Sequence, residues 1–392
     1  MEVMAHDTIV FTIFLIFTGA AVLSTIVLYT RQSLLVAYIF LGLILGPWGL
    51  KLVVDPSLVN QIGNIGIIFL LFLLGLHLQP QNLLHLLHKT SWITLISSLV
   101  FACVSGTISY AFGFSIVESA IIGAAMMFSS TIIGLKLLPT TILHHQHIGE
   151  LMISVLLMQD LLAIVVLLLL QGASNGQLSG SDIARVVIGL PALLAFAFLV
   201  EKYVLMKLLM RFDRTQEYIF LLSVGWCLGM TQLSHWFGLS AEIGAFIGGI
   251  ALAANPIALY IAESLKPLRD FFLVMFFFSI GAAFNLSALP AVFVPAIILS
   301  VTLMLLKPFV YSVLCKRIGE TKKVANEVGI RLGQASEFSL LVGTLAASNL
   351  LLGEKANLFI QATTILTFIM SSYWVVVSYP TPIALTDQMR RD

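Results

Sequence analysis

Ile153–Leu170 reads ISVLLMQDLLAIVVLLLL, an apolar run long enough to cross a bilayer's hydrocarbon core as one helix, with a single charge, Asp160, near its middle. The rest of the chain has the same character. Of its 392 residues 59% are hydrophobic and 10% charged, and the mean hydropathy is +1.04, more apolar surface than a water-soluble fold covers. The chain therefore reads as an all-α polytopic membrane protein with lipid as its surroundings. A net charge of +1 without a concentrated basic face argues against a nucleic-acid partner. Residues 1–7 lack a basic n-region and carry Glu2 and Asp7, so the first apolar run reads as a retained helix with its N-terminus outside. Cys103, Cys227 and Cys315 fall in separate apolar segments without metal-type spacing, which points to neither a disulfide framework nor a zinc site.

Thirteen segments suit membrane-spanning helices: about 8–29, 33–50, 62–79, 91–112, 116–138, 149–171, 183–203, 217–237, 239–256, 268–286, 289–314, 323–348 and 357–379. Most of the twenty basic residues follow odd-numbered segments. With residues at segment ends counted to the adjoining loop, only Lys51, Arg185 and Lys355 follow even-numbered ones, and Lys307 and Arg331 lie inside the membrane. By the positive-inside rule the odd loops and the C-terminus are cytoplasmic, as in a bacterial inner membrane.

Segments 2 and 3 carry GLILGPWGL and IIFLLFLLGLHLQPQNL; seven segments later, 9 and 10 carry AEIGAFIGGIALAANP and LVMFFFSIGAAFNLSAL. An odd offset inserts the two copies with opposite orientation. The expected plan is one transmembrane domain over 1–392, made of two inverted-topology six-helix repeats, about 8–171 and 217–379, joined by a linker helix at 183–203. A cytoplasmic tail, 380–392, follows.

Ionisable groups inside such segments cost about 2.5–3.5 kcal/mol each at a helix centre and so need a partner, a watery cavity or a task. Asp160, beside Gln159, has the most apolar setting of any carboxylate here. Burial disfavours its empty, charged form, which suits a group that exchanges a proton for another cation; the bland alternative is a fixed ion pair. Segment 5 is interrupted by Ser129, Ser130 and Thr131, and segment 12, at the matching place, by Gly333, Gln334, Ser336 and Glu337. Paired polar interruptions point to broken helices whose freed carbonyls and hydroxyls ligate a cation; single ones would be ordinary Ser/Thr helix contacts. Lys307, followed by Pro308, is read as balancing Asp160, as neutralising the carbonyl ends of the broken helices, or as snorkelling to the cytoplasmic end. Arg331 and Glu337, six apart, are charge-balancing candidates that pair elsewhere rather than with each other. Glu242 is placed near the outer face. The loop histidines His77, His85, His88, His144, His145 and His147 are candidate pH sensors. No enzyme motif and no cofactor site beyond the transported ions is evident.

The stretches GLILGPWGL, FLLFLLGLHLQPQNL, SSTIIGLKLL, LLMQDLLAI, AEIGAFIGGIALA, FFFSIGAAFNL and GQASEFSLLV run in order over nearly the whole chain. Together they resemble the monovalent cation/proton antiporter-2 family, in particular the membrane part of Kef-type, glutathione-gated potassium efflux systems. The resemblance implies a sodium/proton-antiporter-like fold with crossed broken helices, a homodimer, and a core domain moving against a dimerisation domain. It makes Asp160 the ion-binding and proton-releasing carboxylate, with Gln159 where related sodium exchangers carry Asn or Asp. Two departures stand out. The cytosolic regulatory domain of Kef-type systems is absent after PTPIALTDQMRRD, leaving it to a missing domain or separate subunit, and GQASEF has Ala and Ser where that pattern has two glycines.

The resulting expectation is alternating-access exchange of potassium, or second to it sodium, for a proton. A sodium-coupled organic-anion symporter, or an ion channel, is the alternative; the paired interruptions count against the channel.

Overall fold

A computed structural model of the chain describes residues 3–30, 32, 34–53, 57–77, 80–136, 147–173, 180–212, 215–237, 239, 241–253 and 255–381. Among them the elements are helices: α1 (Val3–Tyr29), α2 (Leu34–Leu45), α3 (Ser57–His77), α4 (Pro80–Ala111), α5 (Ile116–Met126), α6 (Thr131–Lys136), α7 (His147–Ala173), α8 (Gly180–Val200), a π-helical turn (Glu201–Leu205), α9 (Met206–Arg211), α10 (Gln216–Trp236), α11 (Ala241–Ala253), α12 (Ile257–Ala283), α13 (Pro290–Arg317), α14 (Lys322–Arg331), α15 (Glu337–Ser348) and α16 (Glu354–Ser378). Val10–Tyr29, Thr90–Ala111, Ile188–Arg211, Leu289–Arg317 and Glu354–Ser378 are each long and apolar enough to cross a membrane.

Several boundaries differ from the sequence reading, each for a local reason. Segment 2 stops at Leu45 because Gly46-Pro47 turns the chain, Leu50 N donating to Ile44 O at 2.6 Å and Lys51 taking a positive φ of 56°. Segment 5 opens at a capping box, Glu118 N donating to Ser115 Oγ (3.2 Å) and Ser115 N to Glu118 Oε2 (3.0 Å). Segment 7 runs beyond 203 to Arg211 through the π turn, where Asn255 Nδ2 donates to Glu201 Oε1 at 2.5 Å. Segments 5 and 12, by contrast, are each two helices, as their paired interruptions led one to expect. The tail from 382 onward, with His144 and His145, lies outside the described residues.

The chain forms two compact units. One comprises Asp55–His85 and Leu168–Ile280. Its centre is α3 against α11, where the small residues of AEIGAFIGGIALA let two backbones touch. A Cβ on Gly249 would stand 2.2 Å from Phe72 O, and one on Gly75 2.5 Å from Phe246 O, so only glycine fits at this crossing. Phe72, Leu76, Ala245 and Leu252 pack around it. The other unit comprises Met1–Val54, Leu86–Leu167 and Gly281–Asp392. In it α13 packs on α14 and α16, and α15 on α5 and α16, which brings the two interrupted helices together at the centre.

Candidate functional site

Residues 127–130 separate α5 from α6, and 332–336 separate α14 from α15. Both breaks end in a serine that starts the next helix: Ile133 N donates to Ser130 Oγ (3.1 Å) and Phe338 N to Ser336 Oγ (3.2 Å). Serine competes for neighbouring backbone groups and favours such N-caps over helix interiors. Each break leaves N–H and C=O groups without helical partners, and in a buried setting these must be paired.

Side-chain contacts account for them closely. Gln159, on α7, spans the first break: its Oε1 accepts from Ser129 N (2.9 Å), and its Nε2 donates to Met127 O (3.3 Å). Thr367, on α16, does the like at the second, its Oγ1 accepting from Ala335 N (3.0 Å). The breaks are also tied to each other. Ser129 Oγ donates to Leu332 O (2.8 Å), Gln334 Nε2 to Ser130 O (3.3 Å) and Ser339 Oγ to Ala125 O (2.6 Å), while Ser371 Oγ holds Gln334 Oε1 (2.8 Å). Lys307, on α13 and fully buried, donates to Phe128 O (2.5 Å) and Gln334 O (2.9 Å), the carbonyls two residues before Ser130 and Ser336. Of its three sequence readings, the carbonyl-neutralising one describes these contacts. It does not snorkel, and it makes no ion pair with Asp160.

Asp160 is 1% exposed. Its one hydrogen-bond donor among the described residues is Thr131 Oγ1, 3.4 Å from Oδ2, at the first position of α6. Glu337, at the first position of α15 and also buried, is close enough to interact electrostatically with Asp160. Sharing its sign, Glu337 cannot balance Asp160; an acidic residue in a first turn instead complements the positive end of its helix. Arg331 is bound to Glu327, four residues earlier (2.9 Å), both buried, and donates to Pro380 O (2.9 Å) with Tyr379's ring 5.4 Å away. It balances Glu327, not the centre.

The cross-tied breaks and the buried carboxylate beside them coincide with a match of residues 12–377 to the sequence model of the family described as "Sodium/hydrogen exchanger, transmembrane". The chain belongs to the sodium/hydrogen exchanger family. Similar members include K(+) efflux antiporter 6 of Arabidopsis thaliana, 30% identical over 353 residues (86% of this chain, 58% of the relative), and the glutathione-regulated potassium-efflux system protein KefC of Klebsiella pneumoniae (strain 342), 27% identical over 350 residues (88% and 56%). The chain thus spans somewhat more than half the length of these relatives. The sodium proton antiporter MjNhaP1 of Methanocaldococcus jannaschii shares the fold, with a TM-score of 0.72 at 17% identity over 95% of this chain and 96% of that one. Family membership accords with the resemblance carried by the seven stretches.

Within this site the candidate ligands fall into two groups. Ser129, Ser130, Gln334, Ser336 and Gln159 commit polar atoms to the breaks, whereas Asp160 and Thr131 face each other. The sequence reading expected freed carbonyls to await a cation; those of Met127, Phe128, Leu332 and Gln334 already accept from side chains, leaving each only a second lone pair. It also missed Tyr311, Thr367, Ser371, Ser339 and Glu327. Tyr311 stands four residues after Lys307 and Glu327 four before Arg331, the spacing of one helix face, and that was the available signal.

Proposed function

We propose that the chain is a secondary antiporter that exchanges a monovalent cation, potassium ahead of sodium, for a proton by alternating access, with Asp160 as the shared seat. The observation that carries this reading is a buried carboxylate whose one hydrogen-bond donor among the described residues is a hydroxyl. A buried charge without a counter-charge costs several kcal/mol, so the empty, ionised form is disfavoured and the seat is occupied by a proton or a cation whenever the protein switches sides. Exchange is then obligatory. Potassium is favoured by the relatives named for potassium efflux and by Gln159 beside a single Asp; the fold neighbour named for sodium keeps sodium second.

One cation per proton moves no net charge, so flux is insensitive to membrane potential; a second proton would couple one charge, worth about 2.3 kcal/mol per 100 mV. The chain works as a homodimer in a bacterial inner membrane, N-terminus outside and C-terminus cytoplasmic, with two inverted repeats and with regulation supplied by a further domain or subunit. In support of the repeats, Ser130 and Ser336 cap equivalent half-helices, and Gln159 and Thr367, seven segments apart, accept from the backbone N–H just before each cap.

The test is proton flux in proteoliposomes titrated with potassium, sodium and lithium. Competition at one seat predicts that the apparent KM for the cation rises as pH falls, and that Asp160→Asn abolishes cation-dependent proton flux. Residual coupled flux in Asp160→Asn would overturn the assignment.

A further inference from the structure

Tyr311 is fully buried on α13, one helical turn beyond Lys307, and its hydroxyl lies 2.7 Å from Gln159 Nε2 and 3.5 Å from Ser129 Oγ. The donors here are fixed by the backbone. Ser129 N–H points at one end of the Gln159 amide, so that end is the carbonyl oxygen and the other the NH2. Gln159 therefore donates to the Tyr311 oxygen. Ser129 Oγ–H is directed to Leu332 O, so its lone pair is what faces the Tyr311 hydroxyl hydrogen. These contacts form a ring, Ser129 N to Gln159, Gln159 to Tyr311 and, at 3.5 Å, Tyr311 to Ser129 Oγ, with an exit to the carbonyl of the second break; the Ser97 side chain also meets the Tyr311 hydroxyl. The Tyr311 ring is packed edge-on against Phe101 at 5.4 Å, so the hydroxyl is held where the ring needs it.

We propose that Tyr311 is a positioning residue that sets the cation affinity and selectivity of the exchange seat. It touches neither Asp160 nor Thr131. It acts through Gln159, the residue adjoining Asp160, and through Ser129, two residues before Thr131. Remove the hydroxyl and the Gln159 amide keeps Ser129 N and Met127 O but loses its shortest contact, the 2.7 Å bond to Tyr311, so its hold on the break that aims Thr131 at Asp160 loosens. The ring shows why a glutamine next to the exchange carboxylate serves better here as a brace than as a ligand: its oxygen and both its N–H directions are engaged. The inference rests on the reading of Asp160 as the exchange carboxylate, and the two fail separately. Coupled flux surviving in Asp160→Asn defeats that reading, whereas the tyrosine is tested with Asp160 intact.

The experiment is cation-dependent proton flux by the full chain in proteoliposomes for Tyr311→Phe, Gln159→Leu and the double variant, each with potassium, sodium and lithium. Tyr311→Phe keeps the ring and its contact with Phe101. It is expected to raise the cation KM about tenfold, the scale of one lost hydrogen bond. The maximal rate at saturating cation should stay within about twofold, and the potassium-to-sodium-to-lithium ratio of affinities should change. Because Tyr311 acts through Gln159, it should add nothing further to Gln159→Leu. If Tyr311→Phe does not yield folded protein, Ser129→Ala opens the same ring at another corner and should give the same KM shift. The proposal is overturned by a wild-type KM and ion ratio in the variant. It is equally overturned by effects of the two substitutions that multiply, or by a lower maximal rate with KM unchanged.

Discussion

Replacing Lys307 with methionine keeps the length and apolar body of the side chain while removing its ammonium. Two charge-assisted hydrogen bonds disappear, to Phe128 O and Gln334 O. Each contributes about 1.5–3 kcal/mol net of desolvation, so the expected loss of stability is about 3 kcal/mol or more. The loss falls on both breaks at once, because the two acceptors belong to different interrupted helices. The assay is thermal or denaturant unfolding of purified protein, compared across wild type, Lys307→Met, Asp160→Asn and the double variant. If Lys307 served mainly as counter-ion to Asp160, neutralising the aspartate would restore much of the stability lost with the lysine. If it clamps the breaks, Asp160→Asn restores nothing, since the orphaned carbonyls remain. Recovery in the double variant, or a Lys307→Met protein as stable as wild type, would refute the clamp.

Two further outcomes follow from contacts elsewhere. Arg331→Gln leaves Glu327 buried without its cation and should cost about 3–5 kcal/mol in unfolding experiments, whereas Glu327→Gln combined with Arg331→Met should recover most of it. Gly249→Val forces α3 and α11 apart at a point where a Cβ already meets Phe72 O at 2.2 Å; it should cost at least the 1–3 kcal/mol typical of overpacking and reduce the yield of folded protein, while Gly225→Ala, with open space around it, should be neutral.

Much of this was legible in the chain itself. Hydrophobic runs of bilayer length announce their helices, and a charge inside one, as at Asp160, marks a position that needs a partner, a watery cavity or a task. The breaks were legible for a related reason: Ser129, Ser130 and Thr131 in one, and Gly333 and Ser336 in the other, are residues that favour caps and turns, set where apolar residues would otherwise continue. What the letters do not carry is direction. A serine at a break can face an ion or the facing backbone, and the choice depends on groups far away along the chain, such as Tyr311 for Ser129 and Leu332 for the same hydroxyl. Helix ends were blurred by the same lack of context, as at Val200, where a π turn carries the helix past its apparent stop to Arg211. Arg331 shows the opposite case. Its partner Glu327 lies at ordinary helical spacing, so a local rule was available for a pair that the sequence reading missed.

Lys307 has a consequence for how such a centre arises. One ammonium serves two carbonyls at matching places in two halves of the chain, so it stands on or beside the axis that would relate them, and such a place holds one side chain. Carrying the offset between Ser130 and Ser336 back along the chain from Lys307 leads to Phe101, whose ring lies 5.3 Å from the ammonium and offers it a π face. Two lysines would repel one another there, and two phenylalanines would leave both carbonyls unserved. Were the two halves exact copies, this position would therefore be one that could not be kept the same in both.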